Sequence, residues 1–87
     1  MKRTWMAVVL FLVASPAWAG EDVPLEQVPE AARRTIQEHV GDGTIEDVER
    51  DREKGRVVYE VEYRDPTGTE FELKVGEDGE LIAKRYD

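Results

Sequence analysis

The fold of this chain is decided by nine residues that carry apolar side chains at every second position, Arg56-Val57-Val58-Tyr59-Glu60-Val61-Glu62-Tyr63-Arg64. Successive side chains of a β-strand point to opposite faces, so this pattern predicts a strand with one apolar face. The stretch from Thr69 to Val75 alternates in the same way. Asp65-Pro66-Thr67-Gly68 lies between the two stretches and is typical of a turn, so we expect an antiparallel hairpin.

Two further strands are expected, one on each side of this hairpin. Leu81 to Tyr86 follows a second turn at Glu77-Asp78-Gly79-Glu80. The first strand, Thr44 to Arg50, is the least regular. Ile45 is odd-numbered and Val48 is even-numbered, so a regular strand would point them to opposite faces. Both can face inward only across a β-bulge or at a strand entry. The order predicts a four-stranded antiparallel meander with the first and last strands as edges.

A helix is predicted ahead of the strands, over residues 29–40, after a polar arm at residues 20–24. Pro29 suits the first turn of a helix, where its missing N–H group costs nothing, and Gly41 favours a stop. The apolar residues of this segment recur at every fourth position and form one stripe. We therefore expect an α+β fold, α-β-β-β-β, with the helix on one face of the sheet. The stripe consists of Val28, Ala32, Ile36 and Val40.

Keeping the apolar residues on one face also fixes the register of the hairpins. In the central hairpin, the numbers of opposed residues sum to 134. This register places Tyr63 opposite Phe71 and leaves a five-residue loop. In the last hairpin, numbers that sum to 156 place Val75 opposite Leu81. This register turns the even-numbered residues of the last strand to the outer face, which the helix does not cover.

The outer face is expected to carry an apolar group, Val58, Ile82 and Tyr86, with Lys84 beside it. A small domain without disulfides is near the size at which one core becomes insufficient. An edge strand can also accept a strand from another chain. We therefore expect these four residues to form a partner surface, for another protein or for a second copy in a homodimer. The alternative is a monomer of marginal stability.

The first nineteen residues have the layout of a secretory signal peptide. Lys2 and Arg3 precede an unbroken apolar run of ten residues, Trp5 to Ala14, and Ala17-Trp18-Ala19 follows. A membrane span needs roughly 20 apolar residues, so this run is too short for a stable anchor. We expect a signal peptide at residues 1–19, with an uncleaved helix as the alternative, and a periplasmic or secreted domain at residues 20–87.

The charge and composition of the chain exclude several classes of function. The chain has 20 acidic and 12 basic residues, and without Lys2 and Arg3 the exported part has a net charge of −10. No nucleic-acid partner is therefore expected. The chain has no Cys, and Ser15, its only Ser, lies in the expected signal peptide. This composition excludes disulfides, thiolate metal sites and a serine nucleophile.

The other residues with catalytic or metal-binding chemistry have simpler explanations. His39 is the only His, so it cannot build a zinc site or a catalytic triad in a chain without Cys. The acidic turns at residues 65–70 and 77–80 lack the ligand spacing of an EF-hand loop. Glu62 and Glu72 could act as an acid/base pair only within a cleft, and an open sheet face offers none. We expect no catalytic residue, no metal site, no cofactor and no enzyme activity.

Three stretches of the chain resemble domains of the PepSY family. Val28-Pro29-Glu30-Ala31-Ala32, with the residues up to Glu49, resembles their helix and first strand. Gly55 to Val61 is similar to their second strand, and Asp65 to Ile82 is similar to their third strand, turn and closing strand. The resemblance covers residues 25–86 and consists of core and turn residues, so it transfers no catalytic or binding residue.

The resemblance implies a small exported α+β module. Such domains occur in the propeptides of secreted metallopeptidases, where they restrain the peptidase, and also as free-standing proteins. We therefore expect a free-standing, non-enzymatic binding module that docks on a protein partner, with a secreted peptidase as the implied candidate. The alternative is a small-ligand or cation-responsive envelope protein that uses its acidic surface.

Removal of the signal peptide predicts a spectroscopic change, because both Trp residues, Trp5 and Trp18, precede the expected cleavage site. The exported protein should begin at Gly20 and emit as a tyrosine-only protein. Mass spectrometry and emission spectra of protein recovered from an exporting host check this, with the unexported full chain as the control. Tryptophan emission from the recovered protein would contradict cleavage after Ala19.

Overall fold

The structure, a computed structural model, describes residues 20–86, so the expected signal peptide lies outside the described residues. These residues form one antiparallel sheet of five strands in the order β1-β2-β3-β4-β5, with a single helix packed on it. The elements are β1 (Glu21–Asp22), a 3-10 turn (Leu25–Gln27), α1 (Glu30–Val40), β2 (Thr44–Glu53), β3 (Arg56–Arg64), β4 (Glu70–Gly76) and β5 (Leu81–Tyr86). The expected α+β meander is confirmed, with β1 as an additional strand.

Strand β1 lies in the segment that was expected to be a polar arm. Glu21 pairs with Arg50 and Asp22 with Glu49, and the N–H group of Val23 donates to a β2 carbonyl at 3.1 Å. The Arg50 guanidinium also pairs with the Glu21 carboxylate. Strand β1 therefore covers part of β2, and the edges of the described sheet are β1 and β5.

The core lies between α1 and the inner face of the sheet. The four residues of the helix stripe are at most 7% exposed, as expected. Helix α1 packs on β3 and β4, whose inward side chains fill the other half of the core. Among residues 20–86, no helix has the length and apolar character that a membrane crossing requires. The buried sheet residues of this core are Val48, Tyr59, Val61, Tyr63, Leu73 and Val75, with Phe71 partly buried beside them.

The irregular strand β2 contains the bulge that its parity predicts. Ile45 pairs with Tyr63, but Asp47 pairs with Glu62, so Glu46 is an extra residue on β2. The shift places both Ile45 and Val48 against the core. Strand β2 then continues to Glu53, three residues beyond the expected end.

The two hairpins around β3 differ in their turns. Strands β2 and β3 are joined by a two-residue turn at Lys54-Gly55, both with positive φ (51° and 81°), which matches the twist of antiparallel strands. Gly55 relieves the strain that a side chain would bring to this conformation. Strands β3 and β4 pair in the expected register, with Tyr63 opposite Phe71 and Glu60 opposite Lys74.

The last hairpin departs from the expected register. Val75 pairs with Leu81 as predicted, but Lys74 pairs with Ala83, which makes Ile82 an extra residue on β5. Beyond this bulge every residue of β5 is shifted by one position. Tyr86 therefore lies opposite Phe71 on the helix side of the sheet, and the prediction that it faces outward is wrong.

Replacing Ile36 by valine should weaken the contact between α1 and the sheet, because Ile36 is fully buried. We expect a loss of about 0.5–1.5 kcal/mol in the free energy of unfolding. Urea denaturation followed by circular dichroism measures it, with the exposed Gln37→Ala as a control that should change stability by less than about 0.5 kcal/mol. Equal unfolding midpoints for both variants would contradict the packing of this stripe.

Candidate functional site

Strand β5 is an edge strand with all six residues exposed, and it is longer than the other fully exposed strand, β1. Leu81 and Ile82 are 39% and 38% exposed, and Tyr86 is 73% exposed. One side of this strand pairs with β4, while the other side has no strand beside it within residues 20–86. Unpaired backbone groups on such an edge can accept a strand from another protein.

The turn before β5 is fixed by hydrogen bonds and by the helix. The N–H group of Gly76 donates to the Glu80 carbonyl at 2.8 Å, and the N–H group of Glu80 donates to the Asp78 carboxylate at 3.0 Å. The Thr35 hydroxyl on α1 donates to the Gly79 carbonyl at 2.7 Å. Helix α1 therefore helps to fix the position of the turn after which strand β5 begins.

An aromatic row runs from the core to this edge. The ring centroids of Tyr63 and Phe71 are 5.2 Å apart, and those of Phe71 and Tyr86 are 5.0 Å apart. The Lys84 ammonium lies 5.1 Å from the Phe71 ring centroid, at cation–π distance. Tyr63 is 2% exposed and Tyr86 is 73% exposed, so the row extends from buried packing into solvent.

On the outer face, β5 is held to β4 by an ion pair. Arg85 lies opposite Glu72 and donates to its Oε1 through Nε at 3.1 Å and Nη2 at 2.7 Å. The prediction placed Lys84 in this position, but the bulge at Ile82 moves Lys84 to the helix side, opposite Leu73. Arg85 was not among the predicted site residues.

The four predicted partner-surface residues therefore do not form one surface. Val58 is on the outer face, as expected, but it is fully buried between the positions of Asp51 and Gly76. A Cβ added at Gly76 would collide with the Arg56 guanidinium, so the Arg56 side chain folds over this part of the face.

The other three predicted residues lie on β5. Tyr86 and Lys84 lie on the helix side, and Ile82 lies at the bulge. The structure brings together Lys84 and Tyr86, which both adjoin Phe71.

The outer face is acidic. Two groups of three carboxylates lie with their oxygens within 4.8 Å of one another, and exposed acidic groups of this kind are common without an ion. Lys74 lies beside the second group and pairs with Glu53 at 2.7 Å and with Glu60 at 3.8 Å. The first group is Asp22, Asp47 and Glu49, and the second is Asp51, Glu53 and Glu60.

Burial and like charges raise carboxyl pKa values on this face. Burial raises the pKa of Glu60, Lys74 opposes the rise, and Glu72, Asp51 and Glu53 add to it. Burial also raises the pKa of Glu49, and the carboxylate of Asp47 adds to the rise. Burial and neighbouring carboxylates therefore disfavour the charged forms of Glu49 and Glu60, and Lys74 relieves part of this at Glu60.

The remaining candidates occupy structural positions. The Asp65 carboxylate accepts hydrogen bonds from the Thr67 hydroxyl at 2.6 Å and from the backbone N–H groups of Thr67 and Thr69. These hydrogen bonds lower the pKa of Asp65, with the bond from the Thr67 hydroxyl as the largest cause, and they account for this acidic turn.

His39 lies in the last turn of α1. Glu62 and Glu72 are opposite each other on the open sheet face, and Arg85 binds Glu72.

The fold and this edge define a small α+β domain whose exposed features suit contacts with another chain. The family model described as PepSY, "Peptidase propeptide and YPEB domain", matches residues 23–75, which is more than half of the chain. The chain belongs to the PepSY family. No curated protein and no solved structure matches it significantly. Strand β5 lies beyond the matched residues.

Replacing Thr35 by valine should loosen the turn before β5, because it removes the hydroxyl that binds the Gly79 carbonyl. We expect a loss of about 0.5–1.5 kcal/mol and faster amide exchange in the turn. Thr35→Ser keeps the hydroxyl and serves as the matched control. Identical exchange rates in both variants would show that this bond does not hold the turn.

The acidic face should make the protein more stable at mildly acidic pH than at neutral pH. Glu49 and Glu60 have folded-state pKa values above the ordinary 4.5, so the folded state takes up protons before the unfolded chain does. Stability therefore rises as the pH falls from neutral toward 4.5. The lowered pKa of Asp65 acts oppositely, but only near and below 3.8.

Urea unfolding midpoints at about pH 7 and about pH 5 test this expectation. The midpoint should be higher at the lower pH, and the difference should be smaller in Glu60→Gln, which cannot ionise. A lower midpoint at the lower pH would contradict it.

Proposed function

We propose that this protein is a non-enzymatic exported binding module that docks on another protein through the edge strand β5, and that a secreted peptidase is its partner. The observation that carries the proposal is β5 itself, with all six residues exposed and a hydrophobic aromatic ring, Tyr86, 73% exposed at its end. Exposed aromatic side chains next to basic ones are typical of the residues that contribute most of the binding energy in protein interfaces.

The partner class is supported by the family. The matching family model is described as "Peptidase propeptide and YPEB domain", so peptidases are the partner class that the family suggests. Export is supported by the pattern of the first nineteen residues, with a short positive start and an apolar run. The absence of Cys and of any Ser beyond Ser15 supports binding over nucleophilic catalysis.

The rigid support of the edge favours docking. Phe71 stacks on Tyr63, which is buried in the core, and makes a tilted ring contact with Tyr86. Thr35 holds the turn at the other end of β5. An edge whose two ends are fixed loses little conformational freedom when a partner binds, so more of the contact energy appears as affinity.

The test is a peptidase assay on the secreted fraction of the exporting host, with and without the purified exported protein. We expect a saturable decrease in peptidase activity, and a weaker effect from Tyr86→Ala, which removes the exposed ring. Truncation of an interface aromatic costs roughly 1–2 kcal/mol or more, which is about a tenfold loss of affinity. Glu26→Gln, an exposed change on the 3-10 turn, should act like the unmodified protein.

An unchanged peptidase activity, together with no protein retained on the immobilised domain, would refute this function. The cation-responsive alternative rests on the carboxylates of the outer face. Calorimetric titration with calcium separates the two, because micromolar binding would favour the alternative and an absence of heat would remove it.

A further inference from the structure

Strand β5 carries two basic residues and no acidic one, in a chain that is acidic as a whole. Lys84 and Arg85 are adjacent and exposed in a chain whose net charge is −8. Lys84 is on the helix side of β5, opposite Leu73, and Arg85 is on the outer side, opposite Glu72. A strand that pairs with β5 would therefore meet a positive charge on each of its two faces.

Strand β4 shows which side chains complement this edge. The rings of Phe71 and Tyr86 lie in a tilted contact at a centroid distance of 5.0 Å, and Glu72 accepts two hydrogen bonds from Arg85. Directly opposed side chains interact in the same way on either side of a strand. A new strand with an aromatic residue opposite Tyr86 and an acidic residue opposite Arg85 would repeat these contacts. A second acidic residue would lie opposite Lys84.

The same features oppose pairing between two copies of β5. Antiparallel pairing about a twofold axis places a residue opposite its own copy only at the axis, and in the register centred on Lys84 the two ammonium groups face each other. Lys84 also points to the helix side, and Ile82 bulges out of the ladder. An inward-pointing charge and a bulge hinder pairing with any second strand, and an acidic residue opposite Lys84 offsets the first of these. The edge therefore favours an acidic strand over its own copy.

We propose that β5 binds an extended acidic segment of its partner by antiparallel strand addition, with an aromatic, an acidic and a second acidic residue opposite Tyr86, Arg85 and Lys84. This inference rests on the proposed function and specifies the segment of the partner that the edge holds. The backbone groups of β5 supply affinity, and the three side chains fix the direction and register of the bound segment.

The first test uses a capped peptide of sequence Thr-Phe-Glu-Glu-Thr-Val-Thr, which places its Phe opposite Tyr86 and its Glu residues opposite Arg85 and Lys84. We expect saturable binding to the exported protein below about 1 mM peptide. Amide shifts and slowed hydrogen exchange should be confined to β5 and its neighbour β4. The matched peptide Thr-Phe-Lys-Lys-Thr-Val-Thr should bind at least about threefold more weakly.

The second test exchanges one charge across the contact. Lys84→Glu should weaken binding of the first peptide about threefold or more, and Thr-Phe-Glu-Lys-Thr-Val-Thr should recover it. Circular dichroism and the unfolding midpoint establish that the variant is folded. Recovery by the compensating peptide separates a direct contact from damage to the fold.

Three results would overturn the inference: no saturable binding, amide shifts that lie away from β5, or equal binding of the acidic and basic peptides. A mass that doubles on sedimentation, without reversal by the acidic peptide, would place a second copy on the edge and also overturn it. If the peptidase effect persists in any of these cases, the proposed function stands and strand addition fails. If the peptide binds β5 but no peptidase responds and no protein is retained on the immobilised domain, strand addition stands and the proposed function fails.

Discussion

The rest of the structure depends on the contact between the apolar stripe of α1 and the inner faces of β3 and β4. Helix α1 has 11 residues, and at 1.5 Å per residue it is about 16 Å long and about 10 Å wide. Five strands spaced by about 4.8 Å span about 19 Å, so one helix can cover roughly two of them. The arm before the helix contributes Val23 and Leu25 to the core, but β5 stays uncovered.

Two bulges adapt the sheet to this limited cover, one in β2 and one in β5. Each lets residues of opposite parity face the same side: Ile45 with Val48, and Leu81 with Tyr86. In β5 the shift gains the aromatic contact of Tyr86 with Phe71, worth about 0.5–1.5 kcal/mol. It also puts Arg85 in place of Lys84 opposite Glu72.

The periodic parts of the fold could be predicted from the sequence because their patterns are long. The helix stripe, the alternation of β3 and the central register each rest on four or more repeats. Strand β1 could not be found in this way, since Glu21–Asp22 is too short to show a period. The bulge at Ile82 was detectable in principle, because Leu81 and Tyr86 show the same parity conflict that predicts the bulge in β2.

The partner surface was harder to predict because it depends on one register position and one side-chain conformation. A shift of a single residue moves Lys84 and Tyr86 to the opposite face of β5 and puts Arg85 in their place. The burial of Val58 depends on Arg56 lying over Gly76, which no local pattern encodes. The exposure of β5 as an edge, in contrast, follows from strand order alone.

Charge distinguishes the two edges of the sheet and favours β5 over β1 for binding an acidic segment. Strand β1 has two residues, both acidic, and Arg50 of β2 pairs with Glu21. The outer face is also acidic, so an anionic segment is repelled from both places. Strand β5 is longer and carries two adjacent positive charges. Because specificity is a difference between affinities, the repulsion elsewhere adds to the attraction at β5 in directing an acidic segment to that edge.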